Sequence, residues 1–116
     1  LEVAVTAFPG NVGGLPANIN RWRSQLGLPP QDPSAMQSYV TELQVDGRGV
    51  LVVDLLGPPQ PNGPTQRMLT AVTFYQGSSW FFKMAGDASK VEQHRPAYLE
   101  FVQSLKFAET SSTAPL

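Results

Sequence analysis

The segment Gly10-Asn11-Val12-Gly13-Gly14-Leu15-Pro16-Ala17-Asn18-Ile19-Asn20-Arg21-Trp22-Arg23 holds the densest set of directional hydrogen-bond donors in the chain. Gly10, Gly13 and Gly14 come just before a helix start, where unpaired N–H groups and the helix dipole favour an anion. The spacing is neither a P-loop nor a G-x-G-x-x-G turn, and the P-loop lysine is missing. Two readings stay open. In the first, the glycines only let the chain turn from strand to helix. In the second, they hold a small anion together with Asn18 and Arg21. Helical spacing puts Asn18 beside the apolar side of the helix, where it can tie the glycine turn down. It puts Asn20 and Arg23 away from that side, on an edge a partner could read.

Asp54 is the one charge in the run Val50-Leu51-Val52-Val53-Asp54-Leu55-Leu56. A carboxylate in such a strand needs a partner, because burying it alone is prohibitive. The expected structural pair is Asp54 with Arg21, with Arg23 an equal candidate and Lys83 the second choice. In Trp80-Phe81-Phe82-Lys83, alternation sends Trp80, Phe82 and Met84 to one face and Phe81 and Lys83 to the other. With both faces covered these aromatics are core. With one face open, Phe81, Tyr75 and Lys83 form an aromatic–basic patch for a protein or a planar ligand. His94, the single histidine, stands between polar neighbours on a helix surface and lacks the carboxylate or nucleophile that base catalysis needs. One histidine and no cysteine leave only scattered carboxylates for a metal, without calcium-loop spacing. No G-x-S-x-G elbow is present. No cofactor or catalytic group is expected.

The elements that position these residues follow from periodicity. Leu1, Val3, Val5 and Ala7 alternate with their neighbours, a strand that Pro9-Gly10 ends. Leu15, Ile19, Trp22 and Leu26 give one face of a helix, with Pro16 in its first turn and Gly27 as a left-handed cap. Asp32 as N-cap and Pro33 open a second helix whose stripe is Met36, Tyr39, Val40 and Leu43. Asp46-Gly47 is a hairpin dipeptide. The run from Val50 to Leu56 reads as a strand covered on both faces. Gly57 to Pro64 has too few backbone donors for regular structure and projects as a loop. Met68–Tyr75 and Trp80–Met84 form a hairpin. Asp87 caps a last helix with an inner stripe of Val91, His94 or Arg95, Tyr98, Phe101, Val102 and Leu105, kinked or divided at Pro96. The order is β-α-α-β-β-β-β-α. The fold class is α+β, a mainly antiparallel sheet flanked by helices on both faces.

The 116 residues allow one domain, expected over 1–107, with a flexible tail at 108–116. Eight Lys and Arg against nine Asp and Glu leave no basic excess, which argues against nucleic acid. No apolar run is long enough to span a bilayer. The chain opens at Leu1 already in a strand, so a removed signal or an upstream segment, with room for a lipid anchor, is expected.

The Asn-Ile-Asn-Arg-Trp-Arg helix, the Val-Val-Asp-Leu strand, Trp80-Phe81-Phe82-Lys83 and the closing Gln103-Ser104-Leu105-Lys106-Phe107 resemble a group of uncharacterised bacterial proteins, often predicted lipoproteins. In element order the chain is similar to the PsbP-like fold, shared by an extrinsic photosystem II protein and a yeast Ran-binding import factor. The resemblance implies an αβα sandwich with a binding or assembly role in the periplasm or cell envelope. Such folds usually have one more strand before the one at residue 1. The expected function is a non-catalytic interaction module with a protein partner, acting as a monomer or weak homodimer. Its surface would join the Gly10–Gly14 turn, Asn20, Arg23 and the proline loop. The alternative is a small-anion or small-molecule site at the first helix N-terminus.

Overall fold

The computed structural model describes residues 1–10 and 14–107. Gly13 and the tail expected at 108–116 lie outside the described residues. Five antiparallel strands form one sheet in the order β1-β5-β4-β3-β2. They are β1 (Glu2–Pro9), β2 (Val40–Val45), β3 (Arg48–Leu56), β4 (Gln66–Tyr75) and β5 (Ser78–Asp87). Helix α1 (Gly14–Gln25) follows β1, and α2 (Ala88–Gln103) follows β5.

Turn chemistry accounts for the two tight hairpins. Asp46 and Gly47 have φ of 51° and 79°, and Gln76 and Gly77 have φ of 51° and 78°. Two successive positive φ values match the right-handed twist of the strands they join, which is why such dipeptides close two-residue hairpins. Gly27, at φ 83°, ends α1. The Leu28 N–H there donates back to the Arg23 carbonyl at 2.8 Å, satisfying a group that the helix end leaves open.

The second helix expected from Asp32 onward does not form. Asp32 does cap, accepting from the Ser34 N–H at 3.2 Å, but it opens only a short 3-10 turn, Pro33–Ala35, followed by another, Gln37–Tyr39. Val40–Val45 is strand β2. The Asp46-Gly47 hairpin needs a strand on its N-terminal side, and pairing of Val40 with Val53 through Val45 with Arg48 outweighs a helical spacing of apolar residues. The last helix, by contrast, runs through Pro96 without a break.

Alternation along the strands divides the core. Ile19 and Trp22 of α1 pack with Met36, Val53, Leu55, Met68 and Phe81. Val91, Tyr98 and Val102 of α2 pack with Val50, Val52, Leu69, Ala71, Phe82 and Met84. Successive residues such as Val52 and Val53, or Phe81 and Phe82, thus join different clusters, as period-two alternation requires. The Tyr98 hydroxyl donates to the Phe82 carbonyl at 2.7 Å. Burial raises its pKa, opposed by the Ala71 backbone.

Candidate functional site

The polar residues of α1 hold structure together. The Asn18 amide donates to the Gly14 carbonyl at 2.7 Å, a bond inside the first turn of α1. The Asn20 amide donates to the Gln31 carbonyl at 3.1 Å and accepts from the Gln31 N–H at 2.8 Å. Arg23 is only 7% exposed, and its Nε donates to the Pro29 carbonyl at 2.8 Å. Asn20 and Arg23 are therefore not a free, partner-reading edge. They fasten the segment after α1, helped by the Tyr39 hydroxyl on the Gln31 side chain at 2.6 Å. Arg21 is exposed and lies 6.0 Å from the Trp22 ring.

Asp54 pairs with neither Arg21, Arg23 nor Lys83. Arg67 grips it with two parallel bonds, Nε to Oδ1 at 2.8 Å and Nη2 to Oδ2 at 2.7 Å, and Arg95 adds a third at 3.0 Å. Glu92 closes the group through Arg67 at 2.9 Å. The reason is parity. Asp54 shares its strand face with Val52, in the cluster that α2 joins, whereas Val53 and Leu55 belong with α1. Burial pushes the Asp54 carboxyl up, but the hydrogen bonds and charges of Arg67 and Arg95 outweigh it and hold the group below its ordinary pKa. Arg67 is raised in turn, chiefly by its bond to Asp54. Arg67 stands at the end of β4, diagonal to Asp54 across the β3–β4 pairing. Diagonal placement was the available sequence signal for it, and an arginine at one α2 turn from Val91 was the signal for Arg95.

Phe81 is core, edge-on to Trp22 at 5.7 Å. The patch of Phe81, Tyr75 and Lys83 does not assemble, because Tyr75 lies on the other sheet face, beside Trp80, Phe82 and Phe107. Gly14, Asn18 and Phe81 do come together. They line a cavity of about 250 Å³ with Leu15, Thr73 and Ser79, but neither Arg21 nor Lys83 lines it. Among the described residues, no group of three His, Asp or Glu is placed to hold a metal.

The surface that sequence reasoning missed is apolar. Val3 and Val5 of β1 are 66% and 51% exposed, and Phe101 of α2 is 46% exposed. Alternation marked Val3 and Val5 only as part of a strand, and helical spacing placed Phe101 in an inner stripe. A groove of about 230 Å³ lies between Val3 and Phe101, lined also by Leu1, His94 and Tyr98. His94 is thus a surface residue of this groove.

No protein-family model matches this chain, and no curated protein does. Among solved structures it is similar to a crystal structure of a protein of unknown function from Pseudomonas aeruginosa, described as a putative regulator. The TM-score is 0.54 at 9% identity, covering 94% of this chain and 85% of that one. That likeness shows the fold alone: α+β, with a five-stranded antiparallel sheet.

Proposed function

We propose that this chain is a non-catalytic interaction module and that its partner is a protein docking on the face shared by β1 and α2. The observation that carries the reading is the exposed set of Val3, Val5 and Phe101 beside a strand edge that is unpaired among the described residues. Apolar side chains gathered next to free backbone donors and acceptors suit an added strand, which takes affinity from main-chain bonds and specificity from alternate side chains. An αβα sandwich of PsbP-like kind is part of this reading, and the two core clusters, one with each helix, support it. A place in the cell envelope rests on the resemblance to predicted lipoproteins, and fractionation of the source cell checks it. The docking face is tested by a photo-reactive side chain placed at Val3 or Phe101 in producing cells. Protein adducts at these sites and none at Glu42, on the far edge of the sheet, are the expected result. Equal labelling at all three sinks the reading.

A second reading has its own support in the cavity beside Gly14, Asn18 and Phe81. With no cation in its lining, it suits a small neutral molecule better than an anion. A thermal-shift screen against metabolites tests this. The expected outcome is a stabilisation of several degrees that Val72→Phe, which fills the cavity, abolishes.

A further inference from the structure

Among the described residues, the outer edge of β1 pairs with nothing, and parity assigns its groups. The Gly10 N–H donates to the Gly77 carbonyl at 2.7 Å, in the same register that sets Pro9 opposite Ser78. Antiparallel ladders alternate bonded and non-bonded pairs. Even-numbered residues of β1 therefore spend their backbone groups on β5, and Val3, Val5 and Ala7 aim theirs outward. Pro9, which has no N–H, falls in this outward set, where β5 asks for no donor. The side chains of the same odd-numbered residues share a sheet face with Met84 and Phe82, the α2 side.

We propose that this edge pairs with the same edge of a second copy, antiparallel about a two-fold axis at Val5. The proposal rests on the reading of the β1–α2 face as a protein-docking surface, and it names the partner. Val5 then meets Val5, and Val3 meets Ala7, so every outward group between them finds its complement. Odd meets odd, which keeps Val3 and Val5 of both copies on one sheet face. There they merge with each Phe101 into a single apolar strip between the two α2 helices. A lipid surface would leave the outward N–H and C=O groups without partners. Charge permits the pairing. Glu2 is the only charge in β1, and its two copies would stand about 20 Å apart at strand spacing, beyond the ~8 Å screening length of physiological salt. The opposite edge, β2, exposes Thr41, Glu42 and Gln44, the polar dressing that blunts such pairing.

The chain has no cysteine, so single-cysteine variants report the register directly. In Val5→Cys the two Cα atoms would lie about 5.5 Å apart, within disulfide range, and mild oxidation should give a covalent dimer. In Val3→Cys they would lie about 14 Å apart, and the same treatment should leave single chains. Sedimentation velocity should show the unsubstituted chain as a dimer and Val5→Lys as a monomer with unchanged circular dichroism. A monomeric unsubstituted chain, or a Val5→Cys variant that oxidises no faster than Leu56→Cys, overturns the proposal. If that monomer still gives Phe101 photo-adducts with another protein, the second copy is excluded while the docking surface stands. No adduct at all overturns both.

Discussion

Arg67 reaches Asp54 diagonally across the β3–β4 ladder and binds it through both oxygens, at 2.8 and 2.7 Å, while Arg95 arrives from α2 at 3.0 Å. One carboxylate thus joins two strands to the helix above them. Bidentate guanidinium–carboxylate bonds are the stronger kind, and Asp54 is only 24% exposed. Asp54→Asn removes the charge and leaves two guanidinium groups facing each other with Glu92 as sole counterweight. The expected loss is about 2 kcal/mol, less than the 3–5 kcal/mol of a fully buried pair. Arg21→Ala, on the opposite side of the sheet, should change stability by less than ~0.5 kcal/mol. Urea unfolding of the two variants separates them, and equal effects would return Arg21 to the ion pair.

The same group sets a pH dependence. Asp54 titrates below its ordinary value of 3.8 in the folded chain, because the pull of Arg67 and Arg95 exceeds the push of burial. Its stabilising contribution is therefore complete above the ordinary carboxylate pKa and is lost as pH falls through the lower, folded value. The gap in urea midpoint between the unsubstituted chain and Asp54→Asn should stay constant from about pH 8 to about pH 5 and close below about pH 4. A gap that widens in acid would mean that the carboxyl is raised, not lowered.

Local chemistry made most of the fold legible. Asp46-Gly47 announces a hairpin through residues that tolerate positive φ, Gln76 to Ser79 marks the turn between two apolar strands, and Gly27 announces the end of α1. The stripe of Ile19 and Trp22 identifies the buried side of that helix. Residues 33–43 misled, because Met36, Tyr39, Val40 and Leu43 have helical spacing although hairpin pairing places the last two in a strand. Tertiary pairing decides such cases, and no local pattern contains it. The partner of Asp54 was hidden for a related reason. Alternation says that Asp54 and Val53 face opposite ways, but not which helix covers which face. The β1 surface was hidden because Val3 and Val5 alternate as a buried face does. Their exposure comes from lying at the sheet edge, where α2 packs on Phe82 and Met84 and leaves a groove beside Val3.

Asn20 makes a two-bond clasp on the backbone of Gln31, and with Arg23 and Tyr39 it fastens the segment between α1 and β2. Asn20→Ala should cost about 1–2 kcal/mol, since the Gln31 N–H and C=O lose their partner while partly buried. The effect should be local. Amide exchange of Leu28 to Tyr39 should accelerate well beyond the change in global unfolding, as expected when one unit opens without the rest. Uniform acceleration across β3, β4 and β5 would show instead that the clasp supports the whole domain.

Thr70 lies in β4 between Val53 and Lys83 in the ladder and is 1% exposed, and its hydroxyl has no hydrogen-bond partner among the described residues. Burying a hydroxyl without a bond costs stability that an apolar group of the same shape would not. Valine matches threonine closely in volume, keeps the β-branch that suits a strand, and meets Met68 and Val72 on the same face. Thr70→Val should therefore raise stability by about 1 kcal/mol, a rise in Tm of about 4 °C or more for a domain of this size. Thr70→Ser, which keeps the hydroxyl and opens a methyl-sized void, should lower stability. If Thr70→Val is the destabilising one, the hydroxyl is satisfied in solution, and its cost to the core is not what the packing implies.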